Sequence, residues 1–438
     1  MILSKQKMLI AGIGLLGLVL VIAVIALFGS GTPGNTPPPQ PAAKIEVWGV
    51  FDGTDIIGPI ARSFHERYPH LEVTYKKLTI EAYENELIDA LAAGKGPDAY
   101  MINNTWVPRY LERIRTAPAY TFDAKSFRDA FVDIAFEDLV VNGSIVGVPL
   151  YMDTLALYYN KDYLASAGIA LPPKTWDEFL DATKKLTRYD ERGNITRAGA
   201  ALGTAVNVNR AFDVVSLLMM QQGAEMIARD GSRAVFDGPL SVGSESFYPG
   251  ERALTFYTDF ANPRKQVYTW NALQHFSVDA FIEGNVAMMV NYARAIPTIE
   301  SRAPYLKWDI APMPQIATRD IDVNLGNYWA LVVSNTTKSG DQAWQFLRYA
   351  TERDQAAQYA NAAGRPVARR DLIDAQRNDD KIGIFAVQGL SAKSWWQVDN
   401  RAIEEIFTEM IESVVKGADS ARDAVAKASK QVSVLMRK

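Results

Sequence analysis

Aromatic side chains in loops, next to amide, carboxylate and guanidinium groups, are the residues of this sequence whose types and spacing suit the binding of a small solute. Most of these aromatic and polar residues follow segments that the sequence pattern predicts to be strands. The candidates are Asn104, Thr105, Trp106, Tyr151, Asp153, Trp270, Tyr292, Arg294, Trp329 and Trp395. In open α/β sheets, ligands bind at the carboxyl ends of the strands. Aromatic faces beside a few polar groups suit a ligand with apolar faces and a polar rim, as sugars have.

Each tryptophan of this set has an alternative role as a core residue, because tryptophan is highly buried on average. The loop positions leave the two roles equally open. Trp48, Trp176 and Trp344 lie at strand or helix-core positions instead, and we interpret these three as core residues.

No arrangement of a nucleophile and a base stands out in the sequence. The 438 residues include no cysteine and only three histidines, so thiolate chemistry, disulfides and Cys-ligated metals are excluded and a histidine-rich metal cage is not expected. The patterns G-x-S-x-G, H-E-x-x-H and the Walker loop are missing. Neighbouring acids such as Glu404 and Glu405 fall on helical stretches and read as solvated faces. The sequence therefore predicts binding without a cofactor.

Other charged or glycine-rich motifs carry less weight. Residues 12–17 formally match G-x-G-x-x-G, but they lie in an apolar segment with no strand before it, so we reject them as a dinucleotide site. We interpret Arg365, Arg369 and Arg370 as part of a surface loop in preference to an anion-binding site. The formal charge of −4 and the lack of a basic block argue against nucleic acid as a partner.

The first part of the body alternates strands with helices. Residues 44–48 and 71–78 read as strands, each is followed by a helical pattern, and residues 99–102 read as a third strand. Strand–helix–strand–helix–strand within about 60 residues indicates an α/β lobe with parallel strand pairs. The alternation continues past residue 300, which favours two such lobes over one large sheet.

Turn and cap signals organise the middle of the chain. Asn142-Gly143, between two β-rich runs, predicts a hairpin with a type I′ turn. Thr175 and Glu178 have the spacing of a helix capping box. Ser277 is expected to cap a short helix that precedes a buried strand.

The last third of the chain reads as mainly helical. Trp344 lies on a pattern that predicts one long helix ending by Gly364, where glycine is a typical helix terminator. Two further helices are expected at about 400–416 and 420–436, with Gly417 between them.

The amino-terminal region is expected to cross a membrane. Residues 8–28 carry no charge, Lys5 and Lys7 precede them, and no Lys or Arg follows until Lys44. At about 1.5 Å per residue this stretch spans about 31 Å, close to the roughly 30 Å hydrocarbon core of a bilayer. A cleavable signal peptide is the alternative, but the stretch is longer than the usual apolar region of such peptides and has no good cleavage site.

This interpretation gives the chain an anchor, a tether and a body. We expect residues 1–28 to be a single-pass anchor with a cytoplasmic N-terminus, because the lysines lie before the apolar stretch. The Gly/Pro-rich residues 29–43 would then form a linker that holds an extracytoplasmic body off the membrane.

Several segments together resemble one family, the extracellular solute-binding proteins of ABC importers, in particular the maltose-binding-protein-like group. In chain order the similar segments are Gly147–Pro149, Leu157–Asp162, Pro172–Phe179, Phe281–Asn291, Ala343–Leu347 and Gly364–Pro366. The resemblance covers about residues 44–436 in order, so it is more specific than a single motif would be.

The resemblance implies a two-lobed α/β fold of the periplasmic-binding-protein-like type II class, which closes on its ligand by hinge bending. Lobe 1 would contain residues 44–151 and 313–370, and lobe 2 would contain residues 152–312 and 371–438. The implied partners are a small solute, in the first place a carbohydrate, and the transmembrane subunits of an ABC permease. We expect the receptor to act as a monomer.

The resemblance also suggests ligand contacts by position. Asp52 and the loop Asn104–Trp106 match ligand-contacting loops of the family, and Asp153 falls where sugar-binding members carry an acidic group. Arg294 falls where many members place a stacking tryptophan, and this departure favours an anionic or differently shaped sugar over a malto-oligosaccharide. An ion pair between Arg294 and a neighbouring acid is the equally open alternative.

Two other functions stay open at the level of sequence. A surface glycan hydrolase needs two carboxylates about 5–10 Å apart across a cleft, and Asp52 and Asp153 are the candidates for that pair. A solute-binding sensor or adhesin would use the same fold without a permease. The lack of cysteine excludes the lipid attachment that is common in the family, and a transmembrane anchor would replace it.

Overall fold

The computed structural model describes residues 42–319 and 321–437. Its strands, in chain order, are β1 (Ala43–Gly49), β2 (Leu71–Lys77), β3 (Ala99–Asn103), β4 (Ile114–Arg115), β5 (Val140–Val141), β6 (Ser144–Ile145), β7 (Val148–Pro149), β8 (Asp153–Thr154), β9 (Ala156–Asn160), β10 (Arg188–Tyr189), β11 (Ile195–Ala200), β12 (Leu240–Val242), β13 (Glu245–Phe247), β14 (Val286–Asn291), β15 (Trp308–Ala311), β16 (Asn324–Asn327), β17 (Trp329–Ser334) and β18 (Ala392–Lys393).

The α-helices vary from one turn to more than four turns in length. In chain order they are α1 (Thr54–Arg67), α2 (Ile80–Ala92), α3 (Val107–Tyr110), α4 (Ala124–Ala130), α5 (Asp133–Leu139), α6 (Lys161–Ser166), α7 (Trp176–Leu186), α8 (Ala211–Gln221), α9 (Pro249–Asp259), α10 (Ser277–Ile282), α11 (Ile296–Arg302), α12 (Gly340–Ala350), α13 (Arg353–Ala363), α14 (Arg370–Gln376), α15 (Gly383–Gln388), α16 (Asn400–Val415) and α17 (Ala421–Leu435).

The first main sheet has the strand order β2-β1-β3-β17-β4, and β7 also pairs with β17. β1 and β3 run parallel, with Val47 opposite Ala99, so the predicted strand–helix–strand–helix–strand order is confirmed. β17 returns from far along the chain and pairs antiparallel with β3, with Ala330 opposite Ile102. The carboxyl ends of β1 and β3 and the beginning of β17 therefore meet at one edge of the sheet.

The second main sheet has the strand order β10-β11-β14-β9-β15. β9 pairs antiparallel with both β14 and β15, while β11 and β14 run parallel. The C-terminal helices α16 and α17 belong to the same side of the molecule, because Phe407 and Val425 lie in one buried cluster with Leu157 and Met288. The α/β character that the sequence predicted for two lobes is thus found in two separate sheets.

A small third sheet, in the order β18-β16-β8, lies where the chain passes between the two main sheets. β8 lies between β7 of the first sheet and β9 of the second, and β16 lies between β15 of the second sheet and β17 of the first. The pairing of Gly326 with Thr154 joins these two connections side by side. The two halves are therefore joined by connecting strands that pair with each other at this crossing.

Several local predictions are confirmed. Asn142 and Gly143 both have positive φ, at 50° and 77°, as a type I′ turn between β5 and β6 requires. Thr175 and Glu178 form the complete capping box at the start of α7. The three tryptophans that were interpreted as core residues, Trp48, Trp176 and Trp344, are all buried.

Two helix predictions were wrong. The pattern around Trp344 forms two helices, α12 and α13, because the backbone leaves the helical conformation at Thr351 and Glu352. Gly364 does end the second of them, in the left-handed conformation. Ser277 does not cap α10, since its hydroxyl accepts a hydrogen bond from the backbone N–H of Asn209 and Phe276 occupies the cap position.

The expected anchor at residues 1–28 and nearly all of the linker at 29–43 lie outside the described residues. Across residues 42–319 and 321–437, no helix is both long and apolar enough to cross a membrane.

Candidate functional site

A cavity of about 300 Å³ lies between the strand ends of the two main sheets. Its larger apolar and aromatic lining residues are Phe51, Ile80, Trp106, Tyr151, Tyr292 and Trp329. Its polar lining residues are Asn103, Asp153, Arg210, Arg294, Asn327, Arg365, Asn400 and Glu404. This volume is at the lower end of the range of small-molecule sites, which is roughly 300–1,000 Å³.

One side of the cavity is aromatic and belongs to the first main sheet. We call Phe51, Trp106 and Trp329 the aromatic wall. The ring centroid of Trp329 lies 5.0 Å from that of Trp106 and 5.5 Å from that of Phe51, both edge to face. Phe51 follows β1, Trp106 follows β3 and Trp329 begins β17, so the wall is built from the strand ends that meet at one edge of the sheet.

Asn103 fixes the backbone that presents Trp106. Its side-chain oxygen accepts hydrogen bonds from the backbone N–H and the hydroxyl of Thr105, which caps the short turn 104–106. Its amide nitrogen donates to the side chain of Asn327 at 2.9 Å. Tyr110 stacks on the far side of Trp106, with 5.8 Å between ring centroids. These contacts hold the indole in place before any ligand arrives.

The opposite side of the cavity is charged and belongs to the second main sheet. We call Arg210, Tyr292, Arg294 and Glu404 the charged wall. Tyr292 and Arg294 follow β14, Arg210 directly precedes α8, and Glu404 lies on α16. The guanidinium carbon of Arg210 lies 5.8 Å from the centre of the Tyr292 ring. Arg294 and Glu404 are exposed, so both are accessible to a ligand.

Asp153 lies in the crossing strand β8, at the base of the cavity. One of its oxygens accepts hydrogen bonds from the backbone N–H groups of Thr154 and Ala293, each at 2.9 Å. The other accepts a longer one, 3.4 Å, from the backbone N–H of Arg294. Burial raises the pKa of Asp153 to about 7, although the N–H groups of Ala293 and Thr154 and the charge of Arg365 act in the opposite direction.

Arg365 is a cavity residue that the sequence reasoning assigned to a surface loop. Its side chain is only 13% exposed, it forms an ion pair of 3.3 Å with Asp52, and it lies over the ring of Tyr151 at 4.7 Å. The interpretation of positions 365, 369 and 370 as one surface cluster was therefore wrong for Arg365. Arg369 instead pairs with the partly exposed Asp371 beside it in the chain.

The structure brings six of the predicted ligand-binding residues to one cavity, and these are Trp106, Tyr151, Asp153, Tyr292, Arg294 and Trp329. They come from the ends of β3, β7 and β14, from β8 and from the start of β17. The alternative role as a core residue does not apply to Trp106, because its side chain stays partly exposed. The alternative of an ion pair for Arg294 finds no support, because no carboxylate among the described residues lies within 4.0 Å of it.

Three other predicted residues lie beside the cavity but do not line it. The carboxylate of Asp52 is turned inward, where it accepts hydrogen bonds from Tyr359 at 2.7 Å and from Arg365. The side chain of Asn104 donates to Asp138 and accepts from the backbone N–H of Tyr328. These side chains use their polar groups within the protein, and they position their neighbours instead of contacting a ligand.

Thr105 belongs to the same group. Its hydroxyl donates to Asn103 and accepts a hydrogen bond from Asn400, so both of its polar functions are used inside the protein. Thr105 therefore links the aromatic wall to the start of α16.

Trp270 and Trp395 are corrected to core positions. Trp270 is completely buried and donates its indole N–H to Asn207 at 3.0 Å. Trp395 is 5% exposed and packs beside Phe212 and Phe407, next to a separate surface depression. Both positions looked like loops in the sequence, but both loops fold back over the buried cluster of the second sheet.

The residues that sequence reasoning missed are Phe51, Ile80, Asn103, Arg210, Asn327, Arg365, Asn400 and Glu404. Phe51 and Asn103 adjoin residues that were singled out, so a wider window at the strand ends would have included them. Arg210 and Glu404 had no such signal, because only the fold brings the start of α8 and the face of α16 to the cavity.

The chemistry available in this cavity is recognition by stacking, charge and hydrogen bonding. The two carboxylates proposed for a hydrolase do not face each other across it, because Asp52 is engaged by Tyr359 and Arg365 behind the cavity wall. Among the described residues, no cluster of three or more His, Asp or Glu side chains could hold a metal ion.

The fold and this cavity between two halves define a two-lobed solute-binding protein. A family model described as bacterial extracellular solute-binding protein matches residues 60–382, well over half of the chain. The chain therefore belongs to the bacterial extracellular solute-binding protein family, and the family resemblance seen in the sequence is confirmed. Members of this family are binding proteins, so the chain is not an enzyme.

Individual relatives agree with this assignment. The maltotriose-binding protein of Pyrococcus abyssi is 21% identical over 348 residues, which cover 78% of this chain and 70% of that protein. An ABC transporter solute-binding protein from Thermotoga lettingae, solved with alpha-D-tagatose, is 25% identical with a TM-score of 0.68, over 90% of this chain and 99% of that one.

A third relative shows the same fold at lower identity. The cyclic alpha-maltosyl-1,6-maltose binding protein from Arthrobacter globiformis is 18% identical with a TM-score of 0.74, and the match covers 91% of this chain and 100% of that one. The predicted two-lobed, periplasmic-binding-protein-like fold is thereby confirmed.

Proposed function

We propose that this protein is the extracytoplasmic receptor of an ABC importer and that it binds a carbohydrate in the cavity between its lobes. The observation that carries the proposal is the pairing of an aromatic wall with a charged wall in one cavity. Sugar rings have apolar faces that stack on aromatic rings and hydroxyl edges that bond to carboxylate, amide and guanidinium groups. The sugars named for the relatives from Pyrococcus abyssi and Thermotoga lettingae support this ligand class.

The proposed ligand joins the two lobes when they close. The proposed lobe 1 contains residues 44–151 and 313–370, and lobe 2 contains residues 152–312 and 371–438. A ligand can drive closure only if it binds the closed form more tightly than the open form. Contact with both the aromatic and the charged wall at once would supply that difference, and the crossing strands β8 and β16 are where bending would occur.

The proposed receptor is held at the membrane by residues 1–28 and acts as a monomer beside its permease. The uncharged stretch 8–28 and the two lysines before it support this anchor, and residues 29–43 are the proposed tether. The anchor is tested by alkaline carbonate extraction of membranes that contain the full chain. Recovery of the chain in the extracted, soluble fraction would contradict it.

The carbohydrate proposal is tested by thermal unfolding of the full chain in detergent micelles with a panel of sugars, polyols and sugar acids. A ligand present at 100 times its Kd stabilises the folded form by about 2.7 kcal/mol, so a true ligand raises the Tm by a measurable amount. The variant Trp106→Ala removes part of the aromatic wall and should lose most of this shift. If no member of the panel changes the Tm of the unaltered protein, the proposal fails.

The importer part of the proposal has its own test. Affinity capture with the ligand-loaded chain should recover the transmembrane subunits of a permease from detergent-solubilised membranes. A receptor that binds sugar but recovers no permease subunit would be a sensor or an adhesin instead.

A further inference from the structure

The three arginines that line the cavity differ in their partners. Arg365 is paired with the buried Asp52, and Arg210 lies 3.9 Å from the buried Asp213. Arg294 is exposed, and within residues 42–319 and 321–437 no carboxylate lies within 4.0 Å of its guanidinium group. The charges of Arg365 and Arg210 are therefore balanced from behind the cavity wall, whereas that of Arg294 is available to a ligand.

The carboxylates of the cavity do not neutralise Arg294. The oxygens of Asp153 accept backbone N–H groups, and the group that Arg294 offers to Asp153 is its backbone N–H. Burial favours the protonated form of Asp153, since it raises the pKa of this carboxyl to about 7. Glu404 lies on a different element, the exposed face of α16, where it also lines a separate surface groove.

The backbone of Arg210 gives a second, independent indication of a binding role. Arg210 has φ 66°, and the other non-glycine residue with positive φ in the described chain is Asn142, which belongs to a type I′ turn. The left-handed conformation costs a residue other than glycine roughly 1–2 kcal/mol, and such strain is often found at ligand sites. This conformation begins α8 and places the guanidinium group over Tyr292, on the same wall as Arg294.

We propose that the ligand is a carbohydrate that carries a carboxylate, of the hexuronic acid class, and that Arg294 binds this carboxylate. This inference rests on the proposed function and narrows its ligand class. The sugar ring packs against the aromatic wall, and Arg210 adds positive charge beside Tyr292. The planar guanidinium fork of Arg294 matches a carboxylate with two parallel hydrogen bonds, which a neutral hydroxyl cannot form.

The test is isothermal titration calorimetry on the full chain in detergent micelles, with D-glucuronate and D-galacturonate against D-glucose and D-galactose. D-glucose 6-phosphate is included as an anionic sugar without a carboxylate. We expect a uronate to bind about tenfold or more tightly than its neutral counterpart, since hydrogen bonds to charged groups are among the stronger ones in proteins.

The decisive variant is Arg294→Gln, which keeps a polar side chain but removes the positive charge and the guanidinium fork. It should weaken uronate binding by about tenfold or more and weaken the binding of a neutral sugar by a clearly smaller factor, because a hydroxyl cannot form the paired, charged hydrogen bonds that a carboxylate forms with the guanidinium group. The matched control is Arg229→Gln, whose side chain is 93% exposed, pairs with Glu225 and lies away from the cavity. The thermal unfolding of both variants should match that of the unaltered protein, because both side chains are exposed.

Each other outcome overturns a defined part of the reasoning. If neutral sugars bind and uronates do not bind more tightly, or if Arg294→Gln weakens both equally, the uronate assignment is wrong while the proposed function stands. If only the sugar phosphate binds, the carboxylate assignment is wrong. If no sugar of either kind binds, the proposed function itself fails.

Discussion

Replacement of Asp52 by asparagine tests the buried ion pair behind the cavity. Asp52→Asn keeps the size of the side chain and an oxygen for the hydroxyl of Tyr359, but it removes the charge that faces Arg365. Loss of one partner from a buried ion pair costs about 3–5 kcal/mol, because the remaining charge is left in a poorly solvated place. In the variant, Arg365 would still be 13% exposed to solvent and would still lie over the ring of Tyr151. We therefore expect a loss in the free energy of unfolding at the lower end of this range, about 3 kcal/mol.

The assay is urea unfolding of the full chain, followed by tryptophan fluorescence and far-UV circular dichroism. Asp371→Asn is the matched control, because it removes a carboxylate from a more exposed arginine pair, which typically contributes about 0–1 kcal/mol. The double variant Asp52→Asn/Arg365→Met should recover much of the loss, since it leaves no unpaired charge. If Asp52→Asn costs no more than Asp371→Asn, Asp52 does not balance Arg365 as described.

Trp106→Ala should lower the affinity for the solute, measured by calorimetry, by about tenfold or more with little loss of stability. Trp270→Ala should instead lower the free energy of unfolding in urea by about 3–5 kcal/mol. If the two variants had equal effects on affinity and on stability, the two assignments would be contradicted. Burial raises the pKa of Asp138 to about 6, so between about pH 4 and 6 the unfolded chain has lost a proton that the folded chain still binds. The free energy of unfolding should therefore fall as the pH rises through this window, and Asp138→Asn should reduce that slope in urea titrations at several pH values. Gly143→Ala should destabilise the protein by about 1 kcal/mol, because residue 143 has a φ of 77°. Gly58→Ala, inside α1, should stabilise the protein by about 0.5–1 kcal/mol. If thermal unfolding shifted the Tm of both variants in the same direction, this reasoning would be refuted.

The sequence predicted best where local chemistry decides the conformation. The type I′ turn at Asn142-Gly143 and the capping box of Thr175 and Glu178 depend on residues within one turn of each other, and both are present. The parallel pairing of β1 and β3 also follows from a regular local pattern. The break between α12 and α13 was missed because Thr351 lies within a run of helix-forming residues, where nothing obliges the helix to end.

The site was predictable where a ligand-facing residue directly follows a strand. Trp106 and Tyr292 were found for this reason. Each follows a strand whose end lies at the cavity, and the position of a residue just after a strand can be predicted from the local sequence. Arg365 could not be assigned, because its burial depends on Asp52, which lies 313 residues earlier in the chain. Trp270 was misplaced for the same reason, because its partner Asn207 and the surrounding core are also distant in sequence.

The distribution of chemistry between the two walls bears on how a ligand would be captured. The aromatic wall is held rigidly by Asn103, Tyr110 and the edge-to-face contacts of its own rings, and it needs no charge to be neutralised before a sugar face packs on it. The charged wall carries Arg294 on an exposed side chain that keeps its hydration until a partner arrives. A sugar acid that stacks first on the aromatic wall would bring its carboxylate to Arg294 only when the lobes approach. The ion pair would then form mainly in the closed state, which is the differential contact that closure requires.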